Sequence, residues 1–346
     1  FARHLVAPKP GDVFMTSAPM AFTFGLGITL LFPLRFGAAA ATIEQATPEK
    51  MLECIAKHGV THLGTAPTAY KTMLSNGPVR PEPVEGLSSP SAEKHKGSPS
   101  ISSGRTALDE ALQTLRTCIS AGEHLPEATW RAWKDRTGIA IIDGIGSTEM
   151  MHIFISAAGE DIRPGSTGKA VPGYTATLLD ADGNPLDDGI GRLAVKGPTG
   201  CRYLDDERQR DYVQNGWNVT GDTYRKDADG YFWYLARSDD MIVSSGYNIG
   251  APEVESALLA HPAVAECAVI GVPCPERGQK VKAFVVLAEG QAASAELVAE
   301  LQRHAKEAIA PYKYPREIEF VDSLPRTATG KLRRSELRQR QSPQAA

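Results

Sequence analysis

The stretch that decides the fold is Ile139-Ala140-Ile141-Ile142-Asp143-Gly144-Ile145-Gly146-Ser147-Thr148-Glu149. It begins as an apolar strand, continues as a glycine-rich turn and ends in two hydroxyl side chains and a carboxylate. Backbone amides, a hydroxyl and a carboxylate that meet at the carboxyl end of a strand can receive phosphate and Mg²⁺. Two glycines alone are weak evidence for such a site, and a purely structural turn is the alternative interpretation.

Around this stretch, apolar segments alternate with helix-like segments. This rhythm is typical of an α/β layer with parallel strands. One segment, Pro48–His58, is predicted to be a helix. The apolar segments, interpreted as the strands of the layer, lie around residues 13–14, 28–32, 61–63, 115–119 and 139–142.

The pattern changes after residue 167, where short strands are separated by turn-forming residue pairs. The pairs are Asp182-Gly183, Asp188-Gly189, Asn215-Gly216 and Asp229-Gly230. Farther on, a helix is predicted near Pro252 and another from Ser294, with strands at residues 264–272, 281–287 and 318–321. We therefore predict a partial α/β core at 1–167, a β-rich subdomain at 168–238 and a small α+β domain at 239–346.

Residues 77–104 differ in composition from the rest of the chain, because 16 of these 28 residues are Gly, Pro or Ser. Such a segment cannot bury enough apolar surface to offset the entropy lost on ordering. We predict a disordered surface insertion here. A polyproline II ligand is the alternative.

Composition excludes several classes of function. The 346 residues contain 37 Lys and Arg against 41 Asp and Glu, and this net charge of −4 gives no electrostatic reason to expect nucleic acid as a partner. No apolar run approaches the roughly 20 residues of a membrane span. The five cysteines are scattered and form no CxxC pair, which disfavours zinc and favours a reducing cytoplasm. Because the chain begins with Phe1 and not Met, we expect an N-terminal part to be missing.

Three further motifs follow the glycine-rich stretch in order: Thr220-Gly221-Asp222, then Arg237-Ser238-Asp239-Asp240, then Pro325-Arg326-Thr327-Ala328-Thr329-Gly330-Lys331. Together with Asp229-Gly230-Tyr231-Phe232, their order and spacing resemble the adenylate-forming superfamily of acyl-CoA synthetases, adenylation domains and luciferases. Within it, Phe22-Thr23-Phe24-Gly25-Leu26-Gly27, the motif Leu31-Phe32-Pro33-Leu34-Arg35-Phe36-Gly37 and residues 146–156 are most similar to benzoate and 2-aminobenzoate CoA ligases.

The resemblance implies a two-step reaction. Members of the superfamily transfer AMP from ATP to a carboxylate, release pyrophosphate, and then let CoA displace AMP. For this chain it implies ATP, Mg²⁺ and CoA as cofactors and an aromatic carboxylic acid as substrate. For the assembly of such an enzyme, a homodimer is one option.

By resemblance, Lys331 stabilises the charge that gathers at the α-phosphate during adenylation. Glu149 matches the carboxylate that binds Mg²⁺, and Thr148 matches the hydroxyl that contacts phosphate. Asp222 matches the residue that accepts hydrogen bonds from both ribose hydroxyls. The alternatives are an exposed lysine in a basic terminus, a surface Glu, and a turn-forming Asp.

Other positions correspond to contacts with the nucleotide and CoA. Arg237 resembles a nucleotide-contacting arginine, and Asp239 falls at the hinge about which the C-terminal domain turns. Ile145 replaces a tyrosine that stacks on adenine in many relatives, and Ala236 replaces a glycine. The remaining predicted cofactor-binding residues are Ala121, Gly122, Glu123, Asp143, Gly144, Gly146, Ser147 and, for the pantetheine channel, Ser245, Gly246 and Tyr247.

A flat aromatic acid needs an apolar slot with few polar contacts. The candidates for this slot are Phe22, Phe24, Ile145, Met150 and His152. Each is equally compatible with ordinary core, and His152 with a core histidine bonded to backbone.

One family element is absent from the sequence: the Ser/Thr/Gly-rich loop ending in Pro-Lys-Gly that cradles the β- and γ-phosphates. We expect it upstream of Phe1. The sequence therefore predicts a fragment of an ATP-dependent aryl-CoA ligase. An inactive remnant or nucleotide-binding module, and an enzyme that loads a carrier-protein thiol, are the alternatives.

Overall fold

The computed structural model describes residues 1–75, 106–200, 202–238, 240–326 and 332–341. The predicted insertion at 77–104, the predicted hinge Asp239 and the predicted catalytic Lys331 lie outside the described residues. Within the described part, the strands form sheets of seven, six and five strands. The mixed α/β architecture predicted from the sequence is confirmed.

The first sheet carries the glycine-rich stretch. Its strands are β1 (Val13–Thr16), β2 (Ala39–Ala40), β3 (His62–Thr65), β4 (Thr117–Ser120), β5 (Ile141–Gly146), β6 (Ile153–Ser156) and β7 (Lys169–Ala170). They lie in the order β2-β1-β3-β4-β5-β6-β7, parallel from β2 to β5 and antiparallel from β5 to β7. Thr65 lies opposite Ser120, and Ser120 opposite Asp143. The carboxyl ends of three neighbouring strands therefore meet at one edge.

Helices cover this sheet: α1 (Thr23–Leu26), α2 (Phe32–Phe36), α3 (Pro48–His58), α4 (Pro67–Ser75), α5 (Ala107–Ala111) and α6 (Glu127–Thr137). The predicted helix Pro48–His58 is confirmed as α3. The Thr47 side chain accepts a hydrogen bond from the Lys50 amide at its start, and Gly59, with φ +63°, ends it. Its apolar face buries Met51, Leu52 and Ile55 in the core.

The interpretation of residues 28–32 as a strand is wrong. Gly27–Leu31 forms a π-helical turn that continues directly into α2. Ile28 is fully buried, whereas Leu30 and Leu31 are about two-fifths exposed. The segment is thus apolar although one of its faces is open to solvent. Composition alone does not distinguish such a half-buried helical turn from a buried strand.

The second sheet consists of β8 (Thr175–Leu179), β9 (Pro185–Leu186), β10 (Gly189–Lys196), β11 (Val213–Gln214), β12 (Trp217–Lys226) and β13 (Phe232–Arg237), with the short helix α7 (Arg208–Tyr212) before β11. All its pairings are antiparallel. The predicted turn pairs are confirmed, because three lie between successive strands, the pair Asp188-Gly189 leads into β10 at Gly189, and all four glycines have positive φ.

The third sheet has the order β15-β14-β17-β16, with β18 on the other side of β17. Its strands are β14 (Ile242–Ser244), β15 (Tyr247–Ile249), β16 (Val264–Cys274), β17 (Gly278–Leu287) and β18 (Glu317–Phe320), and its helices are α8 (Ala251–Leu259), α9 (Ala295–Ala308) and α10 (Arg334–Gln341). Helices α8 and α9 share one core with the sheet, and Leu337 of α10 lies in a second core with Phe284. The predicted helices and strands of this part are confirmed. The domain boundaries remain a prediction.

None of the helices in the described ranges is long and apolar enough to cross a membrane.

Candidate functional site

A cavity of about 520 Å³ lies where the three sheets meet. The first sheet contributes the residues after β4 and the end of β5, the second contributes β12 and β13, and the third contributes α8, β16 and the start of α10. The predicted site residues that line it are Gly122, Glu123, Asp143, Gly144, Ile145, Gly146, Asp222 and Arg237. Segments far apart in sequence therefore converge at one cavity.

The end of β5 is shaped by its close packing against β6. A Cβ on Gly144 would lie 2.6 Å from Ile153 Cγ2, and a Cβ on Gly146 would lie 2.5 Å from the His152 carbonyl oxygen. Both glycines are thus required by the β5–β6 hairpin itself. The local sequence suggested phosphate contact as their purpose, but the structure supplies this packing reason independently of any ligand.

Asp143 lines the cavity at the end of β5. Burial raises the pKa of its carboxyl to about 7. Its Oδ1 atom has no hydrogen-bond partner among the described residues. Asp143 thus combines a place in the cavity wall with a buried carboxyl oxygen that lacks a partner among the described residues.

The segment after β4 forms the adjoining wall. Ala121 is buried in the core, whereas Gly122 and Glu123 reach the cavity. The Glu123 carboxylate accepts a hydrogen bond of 2.8 Å from the Thr68 hydroxyl of α4. Glu123 is therefore fixed to the helix that follows β3.

Asp222 and Arg237 face each other across β12 and β13. They are register partners, and Arg237 Nη1 lies 3.3 Å from Asp222 Oδ1. Asp222 is 8% exposed, while the arginine is open to solvent. Gly221 has φ +76°, and a Cβ there would lie 3.0 Å from Arg237 Nη2. The glycine of the Thr-Gly-Asp motif thus lets the guanidinium approach.

The third sheet closes the cavity with ion pairs. Arg334 Nη2 lies 2.7 Å from Glu255 Oε1 and 2.8 Å from Oε2, and Arg326 Nη2 lies 2.7 Å from Glu266 Oε2. Arg326 and Leu332 form an isolated bridge, and both line the cavity. Arg326 and Leu332, the described residues on either side of residues 327–331, therefore meet at the cavity wall.

Ser147, Thr148 and Glu149 lie beside the cavity, in the turn between β5 and β6. Thr148 is exposed. Burial acts to raise the pKa of the Glu149 carboxyl, but hydrogen bonds from Tyr203 and Ser147 outweigh it, so the pKa lies below its ordinary value. The turn offers an anionic carboxylate next to hydroxyl oxygens.

This donor set fits Mg²⁺, which prefers oxygen ligands and often takes one carboxylate together with phosphates and water. Within the described ranges, no group of three or more His, Cys, Asp or Glu residues could hold a metal by itself. A metal at Glu149 would therefore depend on oxygens from the nucleotide.

The predicted pantetheine-channel residues do not line the cavity. Ser245 and Gly246 form the turn between β14 and β15, with φ +51° and +81°. Tyr247 is 53% exposed and stacks on Tyr312 with a ring-centroid distance of 4.3 Å. The sheet thus presents the loop ends Arg326 and Leu332 to the cavity and holds this turn away from it.

The predicted acid-pocket residues separate into different environments. Met150 is fully buried in the core of the second sheet, and Phe22 is half exposed. His152 lies among aromatic rings, with centroid distances of 4.8 Å to Phe32 and 5.7 Å to Phe24. Burial lowers the pKa of His152 to about 4, so its ring is neutral at pH 7. Neither ring nitrogen has a hydrogen-bond partner among the described residues.

Sequence reasoning missed several residues of the cavity wall. His124 stacks on Tyr234 at 5.6 Å, and Lys71 of α4 donates to the carbonyl oxygen of Ala265 in β16. Burial, with the charge of Arg334, lowers the pKa of His124 to about 4. No short motif marks these residues, because each acquires its place through contacts with distant segments.

The chain is similar to known proteins over most of its length. The model of the AMP-binding enzyme family matches residues 2–202, and that of the AMP-binding enzyme C-terminal domain matches residues 253–331. The benzoate–CoA ligase of Thauera aromatica is 40% identical over 343 residues, covering 98% of this chain and 60% of that protein. The chain thus spans about three-fifths of the length of this relative.

Two solved structures of CoA ligases are also similar to this chain over nearly its whole length. The crystal structure of an anthranilate CoA ligase in complex with anthranoyl-AMP has a TM-score of 0.84 and 39% identity, covering 99% of this chain and 62% of that one. A benzoate CoA ligase from Burkholderia xenovorans has a TM-score of 0.81 and 36% identity, covering 98% of this chain and 63% of that one.

Proposed function

Because this chain belongs to the AMP-binding enzyme family, we propose that it is the nucleotide-binding and C-terminal part of an ATP-dependent aryl-CoA ligase. The proposed enzyme activates an aromatic carboxylic acid as acyl-AMP and transfers the acyl group to CoA. The observation that carries the proposal is the meeting, at one cavity, of the end of β5, the Asp222–Arg237 pair, and Arg326 and Leu332. Similarity to benzoate and anthranilate CoA ligases supports the aromatic acid.

In this proposal, Asp222 holds the ribose of ATP. A carboxylate can accept hydrogen bonds from two neighbouring hydroxyls, and such charge-assisted bonds are about twice as strong as neutral ones. Arg237 beside it orients the carboxylate and adds positive charge on the nucleotide side. The glycine-rich end of β5 and residues 121–123 form the walls for the adenine and acyl groups.

Glu149, Thr148 and Ser147 serve the phosphates. Mg²⁺, when bound with ATP, neutralises phosphate oxygens and so lowers the barrier to attack. The chain's own contribution is an anionic Glu149 carboxylate held in place and a Thr148 hydroxyl exposed towards solvent. Both groups are in position before the nucleotide binds, so their side chains need little reorganisation during the reaction.

Lys331 is proposed to stabilise the transition state for AMP transfer. In that step negative charge gathers at the α-phosphate and the attacking carboxylate, and an ammonium group favours this arrangement over the ground state. The cavity position of Arg326 and Leu332 on either side of residues 327–331 supports this role. For the second step, we propose that the third sheet turns about Asp239 and brings Ser245-Gly246-Tyr247 to the acyl-AMP for CoA to attack.

We also propose a cytoplasmic location. Cys54, Cys118 and Cys267 are buried free thiols, as expected for a protein in a reducing compartment.

Exchange of ³²P-pyrophosphate into ATP, with benzoate and with 2-aminobenzoate, tests the function. The assay uses this chain and a chimera in which the N-terminal segment of the Thauera aromatica benzoate–CoA ligase precedes it. We expect acid-dependent exchange in the chimera. Absence of exchange in both proteins, with AMP binding retained, would instead favour a nucleotide-binding remnant.

Lys331→Ala in the active protein tests the role of that lysine. We expect exchange to fall by at least about 100-fold, as for loss of one electrostatic contact to a transition state. Formation of aryl-CoA from supplied aryl-AMP should change little. Arg340→Ala, in the same basic terminus, is the matched control. Equal loss of both half-reactions would contradict the assignment.

A further inference from the structure

A tyrosine from a distant segment reaches the candidate metal-binding carboxylate. The Tyr203 hydroxyl donates a hydrogen bond of 2.7 Å to Glu149 Oε1, across 54 residues of sequence. The contact is partly buried, and it joins the loop before α7 to the turn after β5. None of the sequence motifs that define the site includes Tyr203.

Tyr203 is itself held on two sides. Its backbone amide donates a bond of 2.7 Å to Gln209 Oε1, and its ring packs edge-to-face on Tyr212 with centroids 5.7 Å apart. The Arg208 guanidinium lies 5.5 Å from the same ring. The hydroxyl is therefore presented by a packed segment and not by a freely rotating side chain.

The chemistry of this contact suits a carboxylate that must also bind a cation. A phenol is a neutral donor, so it directs Glu149 without cancelling its charge, as a lysine or arginine would. It occupies Oε1, and a carboxylate has a second oxygen with its own lone pairs. Partners of this kind, one step removed from the metal, orient the ligand that touches it.

We propose that Tyr203 is a positioning residue, whose hydroxyl orients the Glu149 carboxylate to bind the divalent cation that accompanies ATP. The proposal rests on the function proposed above. It adds a residue outside the motifs to the phosphate end of the site. It also gives the loop before α7 a part in the first half-reaction.

Tyr203→Phe removes the hydroxyl and keeps the ring against Tyr212. The first readout is a crystal structure of this variant of the chain without ligand. We expect the Glu149 carboxylate to leave the position that it holds in the unsubstituted chain. A carboxylate that stays in place would overturn the proposal, whatever the chain binds.

The second readout is the affinity of the ATP-loaded chain for Mn²⁺, followed by electron paramagnetic resonance. We expect Tyr203→Phe to weaken Mn²⁺ binding by about 10- to 100-fold. In the Glu149→Gln background the same substitution should have little further effect. Tyr231→Phe is the matched control, since that hydroxyl donates to the Asp161 carbonyl oxygen at 2.9 Å, away from the turn that carries Glu149. Unchanged Mn²⁺ affinity in Tyr203→Phe would contradict the proposal.

The two readouts distinguish a failure of this inference from a failure of the proposed function. If the unsubstituted chain fails to bind Mn²⁺ with ATP, the pyrophosphate-exchange assay on the chimera still decides the proposed function. The position of the Glu149 carboxylate in the variant then still decides whether Tyr203 positions it.

Discussion

At the scale of single residues, the site depends on carboxylates in contrasting environments. The half-buried Asp143 has a raised pKa, whereas Glu149 has a lowered one. Asp222 lies beside a guanidinium at 3.3 Å. Neutral and anionic carboxyl groups can do different work at pH 7, and the surroundings of each residue determine which form it adopts.

Asp222→Asn should weaken AMP binding while the chain stays folded. An amide oxygen still accepts a hydrogen bond, but the charge that strengthens two bonds to the ribose is lost. Hydrogen bonds to charged groups contribute about 1.5–3 kcal/mol, which corresponds to about a 10- to 150-fold loss of affinity. Isothermal titration with AMP measures it, and Asp182→Asn in an exposed turn is the control. Equal affinity of the two variants would exclude Asp222 as the ribose ligand.

At the scale of elements, the sequence correctly predicted those helices and strands for which several local signals, such as the cap and the spacing of apolar residues, indicate the same structure. Helix α9 begins at its capping serine, Ser294, and presents Leu297, Leu301 and Ala305 to the core, as the spacing indicates. Where the signal is only apolar content, as at residues 28–32, the prediction is wrong. Tertiary contacts decide such a segment, and a single sequence does not contain them.

The residues of the candidate site also fall into two groups, those that the sequence could predict and those that it could not. Asp222 and the glycine-rich end of β5 are marked by motifs and could be predicted, and both line the cavity. Tyr203, His124 and Lys71 could not be predicted. Each is an ordinary residue in sequence and contacts, at the site, a segment more than 50 residues away.

The β5–β6 hairpin is the element on which the site depends most, and Gly144→Ala tests it. The added Cβ would lie 2.6 Å from Ile153 Cγ2, so the strands must shift. Overpacking of this kind typically costs about 1–3 kcal/mol of unfolding free energy. Urea denaturation measures it. The cost should be smaller in the Ile153→Ala background, and an equal cost in both backgrounds would show that this contact is not its source.

At the scale of the whole molecule, the junction of three sheets concentrates half-buried titratable groups with shifted pKa values. His124 and Asp143 both line the cavity there, and His152 lies next to the β5 turn. Burial lowers the pKa values of His62, His124 and His152 to about 4 and raises that of Asp143 to about 7. The stability of the chain should therefore depend on pH.

The direction of this pH dependence follows from which state of the chain, folded or unfolded, binds protons at the higher pH. As pH falls from about 6.5 towards 4, the unfolded chain protonates the three histidines before the folded chain does, so their contribution to stability is lost. Asp143 acts oppositely, because the folded chain keeps its proton up to pH 7 and the unfolded chain loses it near pH 4. Its contribution is complete at acid pH and lost as pH rises through 7.

We therefore expect the urea midpoint to fall between pH 6.5 and 4.5, and to fall more steeply in Asp143→Asn. The asparagine removes the one opposing group among these four, and each proton of difference corresponds to about 1.4 kcal/mol per pH unit. Asp182→Asn should follow the unsubstituted chain. If Asp143→Asn gives the same slope as the unsubstituted chain, Asp143 is ionised in the folded protein across this range. The junction would then admit enough water to stabilise its charge, and its wall would be too open to hold an adenylate away from solvent.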